Sequence, residues 1–198
     1  MTRTVAIVDT GGANLTSLCV ALERLGVRGV PTRDADTIRG ASHVVLPGVG
    51  SAADGMRRLR AHGLVDCLRS LAQPVLGICL GLQLLAQASE EEDVECLGVL
   101  PGTVRRLLPA PGLPVPNMGW CRVQAVAANP LLPGDTDGDW FYFAHGYALP
   151  PAGDTVALAQ HAAPFSAIVA HGNFLGTQFH PERSSAAGAR LLARFLAL

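Results

Sequence analysis

The sequence predicts an α/β fold: a central mixed, mostly parallel sheet with flanking helices and an antiparallel extension, built as a single domain over residues 1–198. Three observations carry this. Buried strand-like runs alternate with segments of helical period through the first half of the chain. Short strand-like segments, separated by Pro, Gly and Asp turns, fill the second half. A length of 198 residues at 49% hydrophobic content suits one sizeable core.

Taken in order, Val5-Ala6-Ile7-Val8-Asp9 reads as a buried strand ending at a glycine-rich turn. Asn14 is placed to cap the next segment, where Leu15, Leu18, Cys19, Leu22 and Leu25 keep helical spacing until Gly26. His43-Val44-Val45-Leu46 is a second strand, stopped by Pro47-Gly48. Residues 51–72 read as helix with a break near Gly63. Pro74 to Ile78 is a third strand, and Leu80 to Ala88 a helix after it. Strands are then expected near 96–108, 117–126, 140–148, 155–160 and 165–179, and a closing helix over about 184–197. The acidic run Glu90-Glu91-Glu92-Asp93 reads as a solvated loop.

Composition removes several classes of function. A net charge of −1 gives no footprint for nucleic acid or an anionic membrane. No apolar run approaches the roughly 20 residues that span a bilayer, and the N-terminus does not resemble a signal peptide. All cationic side chains are arginine, which rules out a P-loop lysine and a Schiff-base lysine. Five scattered cysteines form no C-x-x-C pair, so neither zinc nor a disulfide framework is expected, and the chain reads as cytoplasmic.

One cysteine stands apart. Gly77-Ile78-Cys79-Leu80-Gly81 closes a strand and opens a helix, the cysteine form of the nucleophile elbow. The glycines are expected to let the chain turn sharply there. Helix N-terminal amides favour a thiolate. Far downstream, Gln178-Phe179-His180-Pro181-Glu182 puts a histidine at a strand end with an acid two residues on. Cys79, His180 and Glu182 thus supply a nucleophile, a base and an orienter. A cysteine nucleophile in acyl transfer also needs oxyanion donors. The backbone N–H of Leu80 is one, and the Pro47-Gly48-Val49-Gly50 turn offers a second at Val49. Read singly, Cys79 would be a core cysteine and His180 a structural histidine; the pairing is what selects the chemistry.

With these motifs in place, the chain resembles the class I (triad) glutamine amidotransferases and, more narrowly, the glutaminase subunits of imidazole glycerol phosphate synthase. The resemblance spans nearly the whole chain. It is carried by Pro47-Gly48-Val49-Gly50-Ser51, Gly77 to Leu85, Asn117-Met118-Gly119-Trp120, Tyr142 to Tyr147 and Gln178 to Ser184. It implies a class I glutamine amidotransferase-like fold and hydrolysis of L-glutamine to glutamate and ammonia through a thioester on Cys79. Gln83 matches a position that holds the substrate's backbone groups, with Gly48 and Gly50 lining the same pocket. The ammonia would pass to a cyclase partner with a (β/α)8 barrel in a 1:1 heterodimer, in histidine biosynthesis, with no cofactor and no metal.

Partner contacts are expected at Trp120, Tyr142 and Arg183. On residue pattern alone, Trp120 serves equally as a core side chain or an interface anchor. Period two puts Phe143, His145 and Tyr147 on one strand face and Tyr142 on the other. The chain departs from the family pattern at Thr10 (usually Tyr), Asn117 (usually His), Gly146 (usually Ser) and Arg183 (usually Lys); none of these touches the triad. Alternative readings are a paralogous triad glutaminase feeding a different synthase, a noncatalytic cyclase activator, and a cysteine peptidase on a related sheet.

Overall fold

A computed structural model describes residues 4–11, 15–132 and 138–198. The expected cap at Asn14 lies outside the described residues. The first half runs β1 (Thr4–Val8), α1 (Leu15–Arg24), β2 (Arg28–Thr32), α2 (Ala35–Gly40), β3 (His43–Gly48), α3 (Ala52–Ala61), α4 (Val65–Arg69), β4 (Val75–Cys79) and α5 (Leu80–Leu85). The second half runs β5 (Ala88–Ser89), β6 (Val94–Glu95), β7 (Thr103–Arg106), β8 (Asn117–Arg122), β9 (Gln124–Ala125), β10 (Trp140–His145), β11 (Tyr147–Ala148), β12 (Thr155–His161), β13 (Ala163–His171), β14 (Phe174–Thr177) and α6 (Ser185–Phe195).

Eight strands form the central sheet in the order β2-β1-β3-β4-β14-β13-β12-β9. The pairings from β2 to β14 are parallel, and those from β14 through β13 and β12 to β9 are antiparallel. This is the expected mixed, mostly parallel sheet with its antiparallel extension. Two small sheets, β10-β8 and β11-β7-β5-β6, lie outside it. Period-two alternation divides the core between the sheet's faces. Val5 and Ile7 pack with Leu18, Leu22, Leu192 and Phe195 of α1 and α6. Ala6 and Val8 pack with Ile38, Met56, Leu59 and Leu68 of α2, α3 and α4.

Several elements differ from the sequence expectation for physical reasons. β2 is half-exposed and carries Pro31, as an edge strand tolerates, so it shows neither alternation nor an apolar run. The helix after Cys79 stops at Leu85 rather than Ala88. The loop after β6 caps it: Leu97 N–H donates to Leu84 C=O, and Val99 and Leu100 N–H to Leu85 C=O. Residues 96–102 therefore seal a helix end instead of forming strand, leaving only Thr103–Arg106. The segment expected over 140–148 divides at Gly146 between two sheets, so Phe143 and His145 share a buried face while Tyr147 pairs with Arg106.

Candidate active site

The ends of β3, β4 and β14 converge on one cavity of about 320 Å³, whose walls include Val49, Gly50, Cys79, Leu80, Gln83 and His180. Cys79 is the last residue of β4 and sits at φ 54°, ψ −111°, a backbone conformation a non-glycine residue rarely adopts. The flanking glycines relieve steric clash, as expected, but do not themselves make the turn. Neither Gly77 nor Gly81 has positive φ; the turn is made at Cys79 itself. Glycine is needed because a Cβ at Gly81 would fall on the Leu46 carbonyl oxygen, and one at Gly77 would lie 2.8 Å from the Leu82 nitrogen. The elbow is thus a strained cysteine held by close approach of α5 to β3 and β4.

His180 follows β14, with its N–H donating to Tyr142 C=O at 2.9 Å. Its Nδ1 lies 3.0 Å from Glu182 Oε1. Because the carboxylate accepts, Nδ1 carries the proton and Nε2 is left for the thiol. Burial alone would lower the His180 pKa. Hydrogen bonding and charge from Cys79 and Glu182 outweigh it and push the value up to about 10. Ser184, fully buried, locks this corner: its hydroxyl donates to His180 C=O at 2.6 Å and accepts from Tyr142 N–H at 3.0 Å. Glu182 Oε2 is buried and has no hydrogen-bond partner among the described residues. Beside this acid a second, smaller cavity of about 80 Å³ is bounded by Ser17, Gly48, Val49 and Glu182.

The other expected residues fall as follows. Leu80, the first residue of α5, lines the main cavity beside Cys79, and its N–H is among those a helix start leaves without an intrahelical acceptor. Val49 lines both cavities. Gly50 lines the main cavity, but Gly48 lines only the smaller one, paired in register with Cys79. Gln83 is buried in the cavity wall, donating from Nε2 to Tyr147 C=O at 2.8 Å and to Gln178 Oε1 at 3.2 Å.

Trp120 and Tyr142 lie opposite each other in the β8–β10 pair, their rings 6.1 Å apart edge to face, and the Arg183 guanidinium sits 4.7 Å over Tyr142. Trp120 is 48% exposed and Met118, at the cavity mouth, 67% exposed. Trp120 is therefore a surface residue rather than part of the core.

Three site residues escaped the sequence reading. Glu91 lines the cavity, with Oε2 accepting from Ala52 N–H at the start of α3 at 2.9 Å, so the acidic run is more than a solvated loop. The cue was available: Ala52 begins a helix after Gly50-Ser51, and helix starts attract carboxylates. His145, also in the cavity, is buried and its pKa falls to about 4, chiefly through burial. Its Nδ1 donates to Tyr147 C=O at 2.9 Å and its Nε2 accepts from Asn117 Nδ2 at 3.1 Å. Gln178 is fully buried, with its Nε2 3.9 Å from Cys79 Sγ. No group of three or more His, Cys, Asp or Glu among the described residues is arranged to hold a metal. Among those residues no helix is long and apolar enough to cross a membrane.

Residues 6–198 match the model of the class-I glutamine amidotransferase family. The chain is 55% identical over 192 residues to the imidazole glycerol phosphate synthase subunit HisH of Xanthomonas oryzae pv. oryzae, covering 97% of this chain and 96% of that protein. It is 52% identical to the HisH subunit of Xylella fastidiosa over the same shares. Among solved structures it resembles a glutamine amidotransferase at TM-score 0.74 and 23% identity, over 98% of this chain and 97% of that one. It also resembles PurLQS from Thermotoga maritima at TM-score 0.73 and 20% identity, over 100% of this chain and 99% of that one. At such identities these two likenesses speak for the fold.

Proposed function

The chain belongs to the class-I glutamine amidotransferases, among the HisH subunits of imidazole glycerol phosphate synthase, and we propose from that premise which of its residues perform the reaction. It is a glutamine-hydrolysing subunit that serves histidine biosynthesis. The observation that carries the assignment of roles is a strained cysteine at a strand–helix junction that shares a cavity with a buried histidine whose other ring nitrogen is held by Glu182.

Glutamine enters the main cavity with its side-chain amide against Cys79. Sγ attacks the amide carbon, and the carbonyl oxygen takes the negative charge against the backbone N–H groups of Leu80 and Val49. His180 Nε2 carries the thiol proton and returns it to the departing nitrogen, which leaves as ammonia. Glu182 holds the imidazole in the required tautomer and balances its charge. Water, deprotonated by His180, then attacks the thioester carbon. The C–S bond breaks, glutamate leaves and the thiol is restored.

The backbone end of glutamine needs its own recognition. Gln83 uses both Nε2 hydrogens on Tyr147 C=O and Gln178, so its oxygen is what it has left to offer a ligand. That acceptor and the Glu91 carboxylate suit the substrate's ammonium group, with Gly50 lining the same wall; Gly48 supports the turn from behind.

As a subunit, the chain acts with another. We assign the partner face to Met118 and Arg183 at the cavity and to Trp120 and Tyr142 beside them, a surface of exposed Met118, Trp120 and Arg183 around a half-buried Tyr142. The partner is a (β/α)8-barrel cyclase in a 1:1 complex, receiving ammonia across this surface in the cytoplasm. The test is glutamate release from L-glutamine by the purified chain, alone and with the cyclase and its ribonucleotide. Strong stimulation by the loaded cyclase is expected. Equal activity with and without it would leave a glutaminase but remove the proposed partner.

A further inference from the structure

Gln178 has no task in the chemistry above, yet its side chain is fully buried against the reacting sulfur. The orientation of its amide is fixed by its neighbours. The Tyr147 carbonyl can only accept, so the Gln83 amide must turn its nitrogen toward it, at 2.8 Å. An amide nitrogen has two hydrogens. The second goes to Gln178, which must therefore present its oxygen, at 3.2 Å. The Gln178 NH₂ is thus left facing Cys79 Sγ at 3.9 Å. The same Tyr147 carbonyl accepts from His145 Nδ1 at 2.9 Å, so both of its lone pairs are engaged. Flipping either amide would set N–H against N–H or orphan a buried acceptor, a cost the protein avoids. One backbone carbonyl on β11 therefore dictates, through two buried glutamines, that Gln178 turns a donor and not an acceptor toward the nucleophile, whose thiol in turn donates to the Ala144 carbonyl at 3.8 Å.

We propose that Gln178 is a hydrogen-bond donor to the Cys79 thiolate, with the Tyr147 carbonyl and Gln83 setting its polarity. The proposal rests on Cys79 being the glutaminase nucleophile. A thiolate accepts far more strongly than a thiol, so a side-chain N–H held on the sulfur favours the reactive form and fixes the direction of its lone pair for attack. A merely structural Gln178 would staple the end of β14 to α5 and leave the sulfur's reactivity unchanged. The two roles differ in what they do to Cys79 itself.

The experiment is the rate of Cys79 carbamidomethylation by iodoacetamide at neutral pH, read by peptide mass spectrometry on the intact chain. The half-buried Cys19 and Cys121 serve as internal references. Gln178→Met removes the donor at similar volume; Gln178→Glu keeps the shape but replaces the donor with an acceptor. Both should slow Cys79 by about tenfold or more relative to wild type, as loss of a charge-assisted hydrogen bond would, while the reference rates hold. Should neither variant fold, as judged by circular dichroism, Gln83→Met leaves Gln178 in place with its polarity unset, and a fall of about threefold is expected. A fast wild-type Cys79 with an unchanged rate in the folded variant overturns the role of Gln178 alone. A wild-type Cys79 no faster than Cys19 and Cys121 overturns the nucleophile assignment, and the donor role falls with it.

Discussion

The floor and the rim of the cavity are built on opposite principles. The floor, made of Cys79, Gln83, His145 and His180 with Gln178 behind them, is nine-tenths or more buried, and its polar atoms engage one another. The rim is largely exposed: Met118 and Trp120 lie on β8, and the Arg183 guanidinium covers the half-buried Tyr142 ring beside Trp120. A floor of this kind has one arrangement, because moving any member orphans a buried donor or acceptor. The rim has no such constraint until something covers it. The difference suggests that the reaction belongs to the floor and that the partner acts on it through the rim.

Breaking the floor should cost the most. Cys79→Ala and His180→Ala are each expected to reduce glutamate release at least about 10³-fold, because triad members act as a unit. Glu182→Gln should lose less, since the imidazole keeps a hydrogen-bond partner; no loss at all would remove Glu182 from the triad. Steady-state glutamate release in the stimulated complex reads all three. The rim predicts a different defect. Trp120→Ala and Tyr142→Ala should weaken cyclase binding by about 10- to 100-fold, as truncation of an aromatic anchor does, while glutamate release at saturating cyclase survives. A titration followed by glutamate release separates affinity from turnover, and a turnover collapse on Trp120→Ala would erase the distinction.

The two floor histidines sharpen the comparison through pH. His180 has a raised folded pKa, about 10 against an ordinary 6.5. Its share of stability is fully present below pH 6.5 and is lost as pH rises toward 10. His145 has a lowered folded pKa, about 4. Its share is present above pH 6.5 and is lost as pH falls from there toward 4. Each limb has a slope of at most roughly 1.4 kcal/mol per pH unit. Urea midpoints across pH should lose the alkaline limb in His180→Gln and the acid limb in His145→Gln; the reverse pattern would invert the protonation states. The smallest effect is expected at Glu91→Gln, which should raise KM for glutamine about tenfold with little change in kcat, as loss of one charge-assisted contact predicts.

How much of this was legible in the sequence depends on range. Three of the parallel strands, β1, β3 and β4, and the elbow announce themselves locally, through apolar runs followed by glycine and through a cysteine between glycines. His180 and Glu182 are adjacent in a motif, so their pairing needs no fold to be seen. The roles of Gln178 and His145 depend on where the Tyr147 carbonyl comes to rest, which follows from the change of sheet at Gly146 that strand periodicity did not reveal. Glu91 was hidden in a charge run that looks like any solvated loop, since nothing local tells that it folds back onto the start of α3. β2 and α2 were missed because an edge strand with a proline and a six-residue helix carry almost no period.

The division between floor and rim is tested most directly in the assembled complex, by running cyclase synthesis once from glutamine and once from ammonia with Cys79→Ala in place of the wild-type chain. The glutamine-driven reaction should vanish while the ammonia-driven reaction keeps its wild-type rate. Persistence of the glutamine-driven reaction would mean that Cys79 is not the nucleophile, and loss of both together would mean that the elbow and the partner face are one structure rather than two.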